Sequence, residues 1–169
     1  MAVENKYVDA DVAAGKLGNP AFISGAEVQT MVFNFEVAAA DDNNSVFRIA
    51  RSLNPNLIVT DIIIFNDSIT VGTDYNLGLY VPLTDGAGGA IIGTGNQFAD
   101  ALDMSAAAGI ATPKNGFTAV AIEDIQQKLY EHAGQTVNTK ESGYDIAFTA
   151  IAVGSSVGTI SGRIQFIQG

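Results

Sequence analysis

The stretch Leu57-Ile58-Val59-Thr60-Asp61-Ile62-Ile63-Ile64-Phe65 decides how the rest of the chain is read. It is the most β-branched run of the sequence, and β-branched side chains are stiff at χ1 and suit a pleated surface. Period-two alternation places Ile58, Thr60, Ile62 and Ile64 on one face and Asp61 on the other, the pattern of a strand with one face covered. Turn residues bracket it, Asn54-Pro55-Asn56 before and Asn66-Asp67-Ser68 after.

The same period recurs on both sides. In residues 30–37, Met31, Phe33, Phe35 and Val37 share a face, opposite Thr30, Asn34 and Glu36 with Val32. Asp41-Asp42-Asn43-Asn44 then marks a turn. Residues 45–51 set Phe47 and Ile49 opposite Arg48. Downstream, residues 75–83 align Tyr75, Leu77, Leu79, Val81 and Leu83. Residues 144–153 align Tyr144, Ile146 and Phe148, and 159–168 align Ile160, Ile164 and Phe166. About six strands with one wet face each imply antiparallel sheets, and two such sheets face to face bury the apolar rows. The expected fold is mainly β: an antiparallel β-sandwich of jelly-roll-like order, as one domain over 29–169. Residues 1–28 show no sustained period and carry Gly15, Gly18 and Asn19-Pro20, so they read as an irregular N-terminal arm.

Two segments break the pattern. Across 119–133, Ile122, Ile125, Leu129 and Ala133 recur at three and four residues, which predicts one helix. Thr118 is its expected cap, Gly134 its stop, and Asp124 with Lys128 an i,i+4 pair. Residues 96–108 are ambiguous and are read as helical, with Phe98, Ala101, Leu102 and Ser105 on one face. The loop 86–95 is glycine-rich.

Composition excludes several functions. The 169 residues and 17.6 kDa suit one domain, and a chain this long can bury about 70% of its unfolded surface. With no Cys, thiol catalysis, zinc ribbons, iron–sulfur clusters and disulfides are excluded. With His132 alone, no two-His metal site forms within one chain. The net charge of −10 and scattered bases argue against nucleic-acid binding. The N-terminus, Met1-Ala2-Val3-Glu4-Asn5-Lys6-Tyr7, does not read as a signal peptide, and no apolar stretch approaches a membrane span.

No motif completes a chemical site. Gly154-Ser155-Ser156-Val157-Gly158 matches a nucleophile elbow, but a strand follows instead of a helix and no His follows Ser156. It reads as a hairpin turn. In the loop 86–95, Gly88 and Gly93 have phosphate-loop spacing, yet Thr94 stands where Lys is required; a dinucleotide fingerprint lacks its third Gly. Asp41-Asp42-Asn43-Asn44 and the pair Asp9/Asp11 lack the order of a calcium loop and read as solvated turns. Asp100/Asp103 and Glu123/Asp124 are carboxylate pairs without further support. His132 suits a helix end. Asn43-Asn44-Ser45 and Asn66-Asp67-Ser68 match the glycosylation sequon. No residue is assigned a catalytic, cofactor-binding or metal-ligating role, and no cofactor is expected.

The layout as a whole resembles the auxiliary capsid proteins of tailed bacteriophages, called cement or decoration proteins. The resemblance is carried by residues 1–8, the strand 57–65 with its Asn-Asp-Ser turn, the glycine-rich loop 86–95 and the closing strand 160–166. It implies a non-enzymatic virion protein, assembled in the host bacterial cytoplasm. Such a protein binds the major capsid protein on the capsid exterior, often as a trimer, and clamps the shell. It calls for no nucleic acid and no membrane. The expected contacts are residues 2–28 and the loop 86–95. An alternative is a receptor- or glycan-binding module of a phage fibre or tail, for which Tyr80 and Tyr130 are the candidate sugar platforms.

Overall fold

A computed structural model describes residues 5–7, 28–39, 41–69, 74–83, 89–139, 142–153 and 156–169. Nine strands run in chain order: β1 (Asn5–Tyr7), β2 (Gln29–Val37), β3 (Val46–Leu53), β4 (Leu57–Asn66), β5 (Asp74–Tyr80), β6 (Ala99–Asp103), β7 (Lys114–Asn115), β8 (Tyr144–Ala152) and β9 (Gly158–Gln168). They form two sheets, of order β1-β3-β8-β5-β6 and β2-β9-β4-β7. Apart from β1, every pairing is antiparallel. The first strand of the sandwich pairs the last (β2 with β9), the next pairs the next-to-last (β3 with β8), then β4 with β7 and β5 with β6. That rolled-up ladder is the jelly-roll-like order expected from the alternation.

Aromatic rings lock the sheets together. Phe35 on β2 stacks on Phe47 of β3 at 4.9 Å between centroids. Phe148 on β8 lies 5.7 Å from Phe33, 5.5 Å from Phe35 and 6.5 Å edge-on from Tyr75. Ile160, Ile164 and Phe166 of β9 and Leu77 and Leu79 of β5 complete the same fully buried cluster. The inward rows read from residues 30–37, 144–153 and 159–168 pack here, as do Tyr75, Leu77 and Leu79 of the row read over 75–83, but the strand ends at Tyr80 and Val81 and Leu83 beyond it are only half-buried.

The deciding stretch is a strand, but half of its inward row differs from expectation. Leu57 and Val59 are buried with Ile62 and Ile64, while Ile58 and Thr60 are only half-buried. The ladder with β9 shifts between Val59 and Asp61, where Phe166 and Gln165 are consecutive partners. Thr60 is the extra residue of a β-bulge, and one extra residue exchanges the faces on either side of it. Strict alternation could not reveal this, because Ile58 and Val59 are equally apolar.

Three other expectations are corrected. The helix over 119–133 shrinks to a single turn, α1 (Leu129–His132), preceded by a 3-10 turn at Ile122–Asp124. Ile122 is 88% exposed, so the three-four spacing does not mark a buried stripe. The backbone spends its hydrogen bonds on neighbours instead: Ala119 donates to Phe98, Tyr130 to Pro55, and Lys128 bridges to Ile58. A helix this short has little intrinsic stability, so tertiary contacts override its period. Its start is marked by the Glu131 carboxylate reaching back to the Lys128 amide, not by Thr118, while Gly134 at φ 76° ends it as expected. Within 96–108, residues Ala99–Asp103 form strand β6 and not a helix. Finally, β1 joins β3 in parallel, making the larger sheet mixed.

Truncating Phe148 to Ala should cost about 3–5 kcal/mol, because the ring of this β8 residue packs on Phe33 and Phe35 of β2 and Tyr75 of β5 and the cavity cannot collapse. Urea denaturation of the variant checks it; a loss under about 1 kcal/mol would mean that the aromatic contacts do not hold the sheets.

Candidate functional site

The outer face of the five-stranded sheet carries the most unusual chemistry of the molecule. Arg48 on β3 and Asp145 on β8 are both fully buried there. Arg48 pairs with Ala147 across the ladder, so Asp145 is its diagonal neighbour on the same face. Arg48 Nη1 donates to the Asp145 carboxylate at 2.8 Å and to the Val81 carbonyl at 3.1 Å, and Nη2 donates to the Gly89 carbonyl at 2.6 Å. The guanidinium lies 5.0 Å from the centroid of the Tyr80 ring. The other Asp145 oxygen accepts from the Ser52 amide at 2.8 Å, holding Ser52 at φ 48°.

This cluster ties down both ends of the glycine-rich excursion between β5 and β6. The Val81 amide donates to Ala90, and the Ile92 amide to Leu79. Residues 89–97 then fold back over the sheet. Gly78 allows it: a Cβ there would overlap the Gly95 backbone and Gln97. Gly89, at φ 72°, sits against Arg48 and Leu83 in the same way. Gln97 seals the contact, accepting from the Leu79 amide at 2.9 Å and donating to the Ile92 carbonyl at 2.6 Å. Burial raises the pKa of Tyr80, opposed by its bond with Thr149 and by the Arg48 charge. The sequence showed Arg48 as an ordinary outward residue. The signal it offers is a cation in β3, which also carries Arg51, and the one charged residue of β8, but only the β3–β8 register brings Arg48 and Asp145 together.

The structure disposes of most candidate positions. Tyr80 is 2% exposed and forms no sugar platform; Tyr130 is half-buried, with its amide on Pro55. In the 86–95 loop, residues 86–88 lie outside the described residues, and 89–95 close on their own sheet. In the Ser156 motif, Gly154 and Ser155 also lie outside them. The segment joins β8 to β9 in different sheets, so it is a crossing between sheets and not a hairpin turn. Ser156 lies at the end opposite His132, because successive connections alternate ends.

The Asp41–Asn44 turn is spent on the main chain: the Asp41 carboxylate accepts from Ala38 and the Asn43 side chain from Val153. The Asn66 side-chain amide is buried and donates to Asp67, Met104 and Ala106, which leaves it closed to glycosylation. Asp100 and Asp103 both lie on β6, where Asp103 is the cross-strand partner of Asp74. Hydrogen bonds from Ser105 hold the Asp103 carboxyl below its usual range. Glu123 and Asp124 lie in the 3-10 turn, where Asp124 accepts from Gln127. Asp9 and Asp11 lie outside the described residues, as does the arm apart from Asn5–Tyr7 and Val28.

Among the described residues no group of three or more His, Cys, Asp or Glu is placed to hold a metal ion, and no helix is long and apolar enough to cross a membrane. A cleft of about 230 Å³ opens between Val81 and Ile92 on one side and Ala133, Gln135, Thr139 and Tyr144 on the other. None of these side chains is charged at neutral pH, and the volume falls below that of most small-molecule sites.

The two sheets and their strand order thus define an eight-stranded jelly-roll-like sandwich, extended by β1. The same fold is found in a chain of the capsid of Ralstonia phage GP4. The alignment covers 97% of this chain and 99% of that one, with a TM-score of 0.66 and 16% identity. A chain of the cyanophage Pam1 capsid asymmetric unit aligns over all of both chains at 13% identity and a TM-score of 0.47. No protein-family model and no curated protein sequence matches the chain.

Two predictions follow from this geometry. Arg48→Ala leaves the Asp145 carboxylate buried without its cation and should cost about 3–5 kcal/mol, whereas exchanging both residues for apolar ones of similar volume should cost far less. The amides of Val81 and Ile92 should lose hydrogen-exchange protection in the single variant; unchanged protection would show that the loop stands without the pair.

The second concerns His132. Its ring packs 5.2 Å from Phe98, its buried Nε2 has no partner, and burial lowers its pKa against the opposing charges of Asp124 and Glu131. The folded chain therefore binds fewer protons here than the unfolded chain. The His132 contribution to stability is complete above about pH 6.5 and declines as pH falls below it toward the lowered folded value. His132→Gln should flatten this part of the pH–stability curve, and an unchanged slope would assign it to other groups.

Proposed function

We propose that this chain is a structural virion protein that binds the outside of a bacteriophage capsid and stabilises the shell, in the manner of a cement or decoration protein. The observation that carries this reading is the end-to-end match of fold to a chain of the Ralstonia phage GP4 capsid, at nearly equal length. Fold alone does not set function. The described residues offer exposed aliphatic side chains to a partner, among them Ile91, Ile110 and Ile122.

A shell-binding protein works by area and copy number. Many modest interfaces sum to a large stabilisation of the shell. A net charge of −10 keeps such a protein from adhering to packaged DNA. The partner in this reading is the major capsid protein. The contacts are residues 2–28 of the arm (1–28), ahead of one β-sandwich domain (29–169), and the loop 86–95, in which Ile91 remains 48% exposed although the described residues of the loop pack on their own sheet. Copies also associate with one another, and a trimer is the grouping that the resemblance implies.

Quantitative mass spectrometry of nuclease-treated, gradient-purified particles tests the reading. The expected copy number is that of an icosahedral lattice, on the order of hundreds per particle. Capsid binding by a chain lacking residues 2–20 should weaken by about tenfold or more. A few copies per particle would move the protein to a vertex, neck or tail, and absence from particles would overturn the virion reading.

A further inference from the structure

Among the described residues the two sheets have four edges, and three of them are blunted. In the larger sheet, β1 has three residues; β6 has five, carries Asp100 and Asp103, and is kinked at Ala101 with φ 47° and a register shift against β5. In the smaller sheet, β7 has two residues. Short strands, charges and irregularities are the ordinary means of stopping edge-to-edge pairing. Strand β2 uses almost none of them. Its nine residues, Gln-Thr-Met-Val-Phe-Asn-Phe-Glu-Val, hold an unbroken register against β9 and contain no Pro, no Lys and no Arg. Among the described residues, no strand pairs with its other side.

The hydrogen-bond pattern tells which groups face that open side. The Asp67 amide donates to the Thr159 carbonyl at 2.9 Å, flanking the cross-strand pair Asn66 and Ile160. That is the arrangement around a non-hydrogen-bonded antiparallel pair, so Ile160 turns its own amide and carbonyl toward β2. Its partner there is Phe35, and Met31, Phe33 and Val37 share that orientation by alternation. The amides and carbonyls of Thr30, Val32, Asn34 and Glu36 therefore point away from β9. Their side chains are exposed on the outer face, Val32 to 69%.

The geometry points to β2 as a self-association edge, pairing antiparallel with β2 of a second copy about a two-fold axis at Phe33. This occupant is favoured by the charge pattern of the edge. A two-fold at Phe33 sets Val32 opposite Asn34 and Thr30 opposite Glu36, so the one charged residue of the strand never meets its own copy. Each such pair exchanges two main-chain hydrogen bonds. The two Val32 side chains become diagonal neighbours on the outer face, and the smaller sheets of both copies join into one. Isologous two-fold contacts of this kind need only one self-complementary patch. Since each copy carries a net charge of −10, pairing should tighten as salt screens the repulsion.

Sedimentation velocity on the full chain, over a concentration series at low and high salt, measures the association. The Val32 amide faces the open side, so Val32→Pro removes no bond to β9. It should abolish the pairing while leaving the thermal midpoint close to that of the parent chain. Should Val32→Pro fail to fold, Val32→Lys decides the matter by placing two cations at the axis. The chain has no cysteine, which makes cross-linking specific. Val32→Cys should be captured as a covalent dimer by a short bis-maleimide, and Glu36→Cys, several residues from the axis, should not. A monomer at all concentrations, a self-association of any stoichiometry that a folded Val32→Pro or Val32→Lys leaves unchanged, or equal capture of the two cysteine variants would overturn the proposal.

Discussion

The packing of Phe148 between β2 and β5 is the contact on which the rest of the sandwich depends. Its ring touches Phe33, Phe35 and Tyr75, and Phe35 in turn stacks on Phe47. Large rings contribute more buried apolar area than any other side chains and prefer tilted or offset contacts. With one ring layer filling the centre, four strands are committed to a single inward row each. The bulge in β4 is tolerated because it returns the strand to that layer: Val59 and Ile62 both point inward, with the extra Thr60 between them.

Outside this layer the molecule uses polar chemistry to cover a face that a two-sheet sandwich would leave wet. Arg48 and Asp145 are removed from water, and the cost of that burial is offset only because each is fully engaged: Arg48 by a carboxylate, two carbonyls and the face of Tyr80, and Asp145 by Arg48 and the Ser52 amide. A buried ion pair of this kind adds little net stability over an apolar pair. What it fixes here is position. The same guanidinium that meets Asp145 also holds the carbonyls of Val81 and Gly89, so the described part of the glycine-rich run is a strap over the sheet and not a free loop.

That arrangement has a functional consequence. Phosphate loops and nucleophile elbows need exposed backbone amides or a side chain poised over a cavity. Here Gly78 admits the Gly95 backbone, while Gly89 and Gly95 make room for the side chains of Arg48, Leu83 and Ile91. The polar residues that sequence patterns singled out are spent on turns and on the sheet's outer face. What remains for a partner is the exterior: loops at both ends, exposed aliphatic residues such as Ile110 and Ile122, and the long edge of β2. The fold that frames this exterior is shared with a chain of the Ralstonia phage GP4 capsid.

The sequence by itself determined the class of fold. Wherever apolar residues alternate with clearly polar ones, as in 30–37 and 159–168, the inward rows were legible, because a strand with one wet face writes its orientation into every second residue. Where both neighbours are apolar, as at Ile58 and Val59, the face depended on a bulge that alternation does not encode. Where a segment's period was short, as in 119–133, tertiary hydrogen bonds to Phe98, Pro55 and Ile58 chose the backbone path. The Arg48–Asp145 cluster lay beyond reach for a related reason: its members are 97 residues apart, and only the register of β3 on β8 makes them neighbours. Local pattern reports which side of a strand meets the core, and tertiary structure alone decides which distant polar groups are brought together when both sides are covered.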